Sequence, residues 1–242
     1  MKRLKKSLSV AVATGLLIGA VPGMASDWEY GVELYALAAD VKATSATGED
    51  ISADFDDILD DLEFAMFGSF AAQRDKLTLF VNLFYVDTDS RERGAQGPIK
   101  AELKVGLTNL VSTLGAGWEI ADTGSTQIDI VGGARYLSMD TDIKLSLDPL
   151  GSVKESESAS NWDGVVGIHG KTELSDRWYL TYYADVGAGE SDLTWQAIAG
   201  INYRFEALDV VLGYQHLKWE FDDQLLDDLE MSGPALGVKL FF

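Results

Sequence analysis

The feature that most constrains this chain is a two-residue hydrophobic period. It returns along almost the whole length and ends in Ser232-Gly233-Pro234-Ala235-Leu236-Gly237-Val238-Lys239-Leu240-Phe241-Phe242. In a strand, Leu236, Val238, Leu240 and Phe242 share one face, while Ala235, Gly237, Lys239 and Phe241 share the other. A closing strand has no later strand to pair with. A sheet built from many such strands removes its edges only by closing on the first one. The expectation is an all-β, closed antiparallel transmembrane barrel in which Leu236, Val238, Leu240 and Phe242 form the closure.

The period recurs about ten times. In residues 28–41, Tyr30, Val32, Leu34, Ala36 and Ala38 face one way, and Glu29, Gly31, Glu33 and Tyr35 the other. Residues 63–73, 77–87, 99–121, 127–147, 162–174, 178–188, 193–205 and 208–221 read the same way. Within 99–121 the apolar parity switches near Thr108-Asn109, which predicts a β-bulge. Long connections (42–61, 88–98, 148–160, 222–230 and a shorter 189–192) alternate with short ones (74–76, 122–126, 175–177, 206–207). Short turns at one end, longer loops at the other and an even strand number are the habit of bacterial outer-membrane barrels. Ten strands fit both constraints, with eight as the runner-up. The competing fold, a secreted sandwich or lipocalin-like barrel, puts its apolar face inward and calls for no terminal aromatic. Trp28, Trp118, Trp162, Trp178, Trp195, Tyr203, Phe205 and Phe242 mostly fall near strand ends, where interfacial girdles lie.

The first 25 residues read differently. Lys2, Arg3, Lys5 and Lys6 precede an apolar run of 13 residues (8–20), and Gly23-Met24-Ala25 offers a small-residue cleavage site. This is the pattern of a secretory signal peptide over 1–25, leaving a barrel domain over 26–242. The run is shorter than the ~20 residues a helical span needs. The chain carries 19 Lys and Arg; without the four in the leader, 15 face 39 Asp and Glu, a net −24. Such a charge repels nucleic acid. Having no cysteine, the chain has no disulfide framework and no thiolate metal site.

Leu174-Ser175-Asp176-Arg177-Trp178, Asp185-Val186-Gly187, Ser191-Asp192-Leu193-Thr194-Trp195-Gln196-Ala197-Ile198-Ala199-Gly200 and Tyr203-Arg204-Phe205 carry a resemblance. So do Phe55-Asp56-Asp57-Ile58-Leu59-Asp60-Asp61-Leu62, Gly133-Ala134-Arg135-Tyr136 and Ser232-Gly233-Pro234. Together they resemble a family of small bacterial outer-membrane β-barrel proteins with no assigned activity, across nearly the whole mature chain. Gly164 stands where that family usually has proline. Gln215 stands where it usually has arginine, which removes an inward positive charge. The resemblance also implies that Phe242 is a recognition end for the barrel-assembly machinery.

Face assignment gives a candidate lumen network. Its acids are Glu29, Glu33, Glu63, Glu102, Asp129, Asp163, Asp185 and Asp209; its bases are Lys104, Arg135, Lys171, Arg204 and Lys239, with His169 beside them. Mixed signs favour a network that fills a polar barrel, with a narrow cation-preferring pore as the alternative. His169 lies on the inward parity and His216 on the outward one. Neither has a Ser or carboxylate at a diagnostic spacing, so no catalytic residues are expected. Residues 54–62 and 221–229 read as two short acidic amphipathic helices in external loops. They lack calcium-loop spacing, so at most they hold divalent cations loosely. The expected molecule is a monomer in outer-membrane lipid, structural or a narrow conduit, without a cofactor. The alternatives are a lipid-modifying or proteolytic enzyme and a surface-interaction protein acting through its acidic loops.

Overall fold

The computed structural model of the chain describes residues 28–45, 48, 50–96, 99–148, 151–222 and 226–242. The expected signal peptide and its cleavage site lie outside the described residues. The strands are β1 (Glu29–Leu37), β2 (Asp40–Ser45), β3 (Asp50–Ala53), β4 (Leu62–Arg74), β5 (Leu77–Gln96), β6 (Ile99–Asp122), β7 (Thr126–Asp148), β8 (Gly151–Glu173), β9 (Trp178–Gly189), β10 (Leu193–Arg204), β11 (Asp209–Glu220) and β12 (Leu226–Phe241). One short helix, α1 (Phe55–Asp60), joins them. Among the described residues no helix is long and apolar enough to cross a membrane.

All wall pairings are antiparallel, β1 with β4 and then each strand with the next in the chain to β12, and β12 closes on β1 with Gly31 opposite Phe241 and Leu37 opposite Ala235. The same register carries on into β2, where Asp40 lies opposite Ser232. β1 and β2 are thus one wall strand interrupted at Ala38-Ala39, and the barrel has ten strands. At the interruption a Cβ on Gly233 would overlap the Ala38 carbonyl oxygen, so only glycine lets the strands approach there. The seam ends with Tyr30 and Phe242 exchanging backbone hydrogen bonds of 3.0 Å and stacking their rings at 5.9 Å. Deleting Phe242 removes both bonds and the stack. Less closed barrel is therefore expected, read as a loss of the heat-modifiable band on gels; an unchanged band would contradict the role of this seam.

Outward positions are apolar and exposed, among them Leu34, Leu79, Leu114, Ile130, Val166, Ile168, Leu212 and Leu236. A water-soluble protein rarely exposes a continuous apolar belt of this kind. Aromatic pairs bound the belt: Trp178–Tyr203 and Tyr30–Phe242 at the turn end, Phe64–Tyr85, Tyr136–Trp162 and Trp195–His216 at the loop end. On β10, Trp195 and Tyr203 are eight residues apart, ~26 Å along a strand. At a tilt of ~40° that is roughly 20 Å across, close to the band a bilayer requires.

Three expectations are corrected. In the expected loops 88–98 and 148–160, the described residues 88–96, 148 and 151–160 are strand: β5 to β8 run on beyond their shorter neighbours, with β8 leaving β9 behind after Asp163 and β5 leaving β4 after Thr88. Their polar composition suggested loops, yet cross-strand pairs such as Arg93–Glu102 (3.0 Å) and Lys154–Asp142 (2.9 Å) suit paired strands. There is also no bulge at Thr108-Asn109. The β6 register with β5 and β7 is unbroken there, and the shift falls between Glu119 and Ala121. The apolar parity changes because the solvent changes. Between the aromatic girdles Leu110, Leu114 and Trp118 face out, whereas above them Leu103, Val105 and Leu107 take the opposite face of the same strand. Finally, the second acidic helix is not formed in its described part, since residues 226–229 belong to β12. Residues 223–225 lie outside the described residues.

The projecting sheet pairs only within itself, beyond the closed wall. Cutting its hairpins back to the Thr88–Leu107 and Thr141–Glu157 pairs is expected to leave a heat-resistant barrel, and loss of that resistance would count against this.

Candidate functional site

The lumen is layered. At the turn end, inward positions of β1, β8, β9, β10, β11 and β12 hold a charged tier. Arg204 makes a bidentate pair with Glu173 at 2.8 and 2.5 Å, and Lys171 reaches the same carboxylate at 3.1 Å. Tyr179 donates to Asp209 at 2.6 Å, beneath the Arg204 guanidinium 4.6 Å from its ring. Lys239 links Glu33 (3.3 Å) to the Asn202 side-chain oxygen Oδ1 (3.2 Å).

Arg135 occupies the next tier. It is fully buried, and all its partners are lumen side chains. It pairs with Asp185 through Nη2 and donates to Gln196 at 2.8 Å, Thr194 at 2.9 Å and Thr113 at 3.3 Å. Tyr183 donates to the same Asp185 oxygen at 2.5 Å. A buried guanidinium is tolerable only with such a complete set of acceptors.

Above Arg135 the lumen is apolar. Leu37, Phe84, Val111, Leu137, Leu217, Trp219, Leu229 and Met231 form one buried cluster, with Trp219 fully enclosed. The Arg135 guanidinium lies 6.0 Å from the Trp219 ring. A polar lumen throughout was the expectation; the loop-end half is instead packed like a soluble core.

The structure brings most of the expected lumen residues together. Asp129 and His169 are register partners, with Nδ1 3.1 Å from the carboxylate. Asp163 is buried and accepts from the Ser191 N–H at 3.0 Å, closing the β9–β10 connection. Four residues stand apart. Glu29 and Glu63 are exposed at opposite rims. Glu102 and Lys104 pair at 3.3 Å on the projecting sheet; with no bulge below them, they carry the outward parity and do not face the lumen. Hydrogen bonds from Arg93 and Lys104 hold the Glu102 carboxyl below its usual range.

Sequence reasoning missed Glu173, Tyr179, Tyr183, Thr113, Thr194, Gln196, Asn202 and Trp219. Seven of these are uncharged, and a reading confined to charged side chains passes over them; Glu173 is charged and shares the parity of His169 and Lys171, so its place was readable. It also missed that Asp129 meets His169, because that contact depends on the β7–β8 register. His216 faces outward, as its parity indicated, stacked on Trp195 at 4.4 Å. Nε2 of His169 has no hydrogen-bond partner among the described residues, so the pair lacks an attached nucleophile. No cluster of three or more His, Asp or Glu suited to a metal occurs among the described residues.

A closed antiparallel wall, an apolar exterior bounded by aromatic girdles and an inward-facing polar network define the transmembrane β-barrel class. No protein-family model and no curated protein matches the chain. Among solved structures the chain is similar to the outer-membrane protease OmpT of Escherichia coli, at 7% identity and TM-score 0.48, covering 89% of this chain and 96% of that one. It is also similar to the translocator domain of the autotransporter NalP of Neisseria meningitidis (12%, TM-score 0.45, 90% of each chain). A third is Ail, the attachment invasion locus protein of Yersinia pestis (11%, TM-score 0.39, 90% of this chain and 100% of that one).

Proposed function

We propose that this is a monomeric, non-catalytic outer-membrane barrel whose filled interior makes it a structural wall element and not a conduit. The observation that carries this is the dry apolar cluster around Trp219 resting on the Arg135 network. An ion on the barrel axis would have to shed its water to pass the cluster, a cost of many kcal/mol that the cluster's apolar side chains do not offset. The surrounding lipid and the barrel-assembly machinery are its partners in this reading, and no cofactor is needed. The alternative of a narrow cation-preferring pore requires a continuous wet path. Purified barrel in planar bilayers is expected to give no discrete conductance steps; repeatable steps would overturn the proposal.

A further inference from the structure

The wall is not uniform around its circumference. β1 pairs with β4 only from Glu29–Gln73 to Tyr35–Phe67, while β4 continues toward the loop end as far as Leu62, paired there on its β5 side. Beyond Leu37 the chain turns to β2, whose second partner is β3. Between β4 and the β2–β3 hairpin the strand ladder is open, and α1 lies across the gap.

A cleft of about 420 Å³ occupies this place, within the ~300–1,000 Å³ of ordinary small-ligand sites. It reaches both faces of the wall. Tyr35 and Phe67 line it from the lumen side, Leu212 and Leu236 from the outer belt, where they are 57% and 59% exposed. α1 contributes Phe55 and Leu59. No charged side chain lines the cleft, and the Tyr35 hydroxyl is its one polar side-chain group.

We infer that this cleft takes one acyl chain of a membrane lipid, entering sideways from the bilayer. Three observations select that occupant. The mouth opens through Leu212 and Leu236, so the medium at the door is hydrocarbon. The lining offers an anionic or zwitterionic head group nothing to bind, which leaves the head in the bilayer plane and admits the chain alone. The rim carries Asp56, Asp57, Asp60, Asp61 and Glu63, which repel the carboxylate of a free fatty acid and favour a chain whose head group stays outside. The cleft shares Leu37 with the apolar cluster and runs along its edge through Tyr35, Phe67 and Ala235, so the inference does not depend on whether the lumen conducts.

The test uses the intact barrel in phosphatidylcholine vesicles doped with a phosphatidylcholine whose acyl chain ends in a diazirine. After irradiation, adducts are mapped by peptide mass spectrometry. Adducts are expected on Tyr35 and Phe67 as well as on Leu212 and Leu236. In Ala65→Trp, which fills the cleft from β4, the inward adducts should fall about tenfold, equivalent to ~1.4 kcal/mol of exclusion, while the outward ones persist. Ala235→Leu fills it from β12 and serves if the first variant fails to give a heat-modifiable band. Wild-type adducts confined to Leu212 and Leu236, or inward adducts that survive in a folded filled variant, would overturn the inference. So would stronger inward labelling by a diazirine-bearing free fatty acid than by the phospholipid.

Discussion

Replacing Arg135 with alanine is expected to destabilise the barrel by about 3–5 kcal/mol, the usual cost of removing one partner from a buried ion pair. The charge of Asp185 would remain inside the wall with Tyr183 as its surviving donor, and Thr113, Thr194 and Gln196 would each lose a donor. Urea titration of the folded barrel in vesicles, followed by tryptophan emission, would measure the loss. Arg135→Lys should recover only part of it, because one ammonium cannot replace a planar fork bonded to four side chains. The double variant Arg135→Met with Asp185→Leu removes both charges and should cost clearly less than Arg135→Ala, giving a large coupling energy in the double-mutant cycle. An Arg135→Ala barrel within ~1 kcal/mol of the parent would mean that water reaches the Asp185 carboxylate and that the tier is not sealed.

Trp219→Ala should cost a comparable ~3–5 kcal/mol through lost burial and the cavity it leaves. That cavity would be bounded by the apolar cluster, Leu217 and Leu37 among it, and on one side by the Arg135 guanidinium, so any water it took up would be enclosed and not part of a continuous path. The variant is therefore expected to be less stable and still silent in planar bilayers. This separates two accounts of a silent wild type. If Trp219 were a lone gate over a wet lumen, its removal would open discrete conductance steps; if the whole loop-end half is packed, stability falls and conductance does not appear.

Much of the architecture was legible because alternation is a local property. Each strand announces its two faces through its own residues, and a strand such as β10 needs no knowledge of its neighbours to show Ile201 and Tyr203 outward against Asn202 and Arg204 inward. The aromatic girdles follow from the same parity. The errors came where one rule was extended across a change of solvent. Apolar-outward holds between the girdles and reverses in the projecting sheet, so the sequence of β6 looked bulged when only its surroundings had changed. Glu102 and Lys104 were assigned to the lumen for that reason. Polar stretches at 88–96 and 151–160 looked like loops because their partners, 99–107 and 138–147, lie on the adjoining strands of the same projecting sheet, and the pairing of Arg93 with Glu102 is visible only once the hairpin is formed.

That Ala235 to Phe241 forms a strand with two distinct faces was set by sequence alone, through its period of two; its register against β1 came with closure. What fills the barrel was decided by tertiary structure. Arg135, Asp185, Gln196 and Trp219 lie on four different strands, and their meeting depends on register and closure around ten strands, quantities that no single strand encodes. The same holds for the gap beside α1, which exists because β1 leaves β4 after Tyr35 while β12 keeps its register past the break. Local alternation fixes which way a side chain points; only the closed wall fixes what it points at.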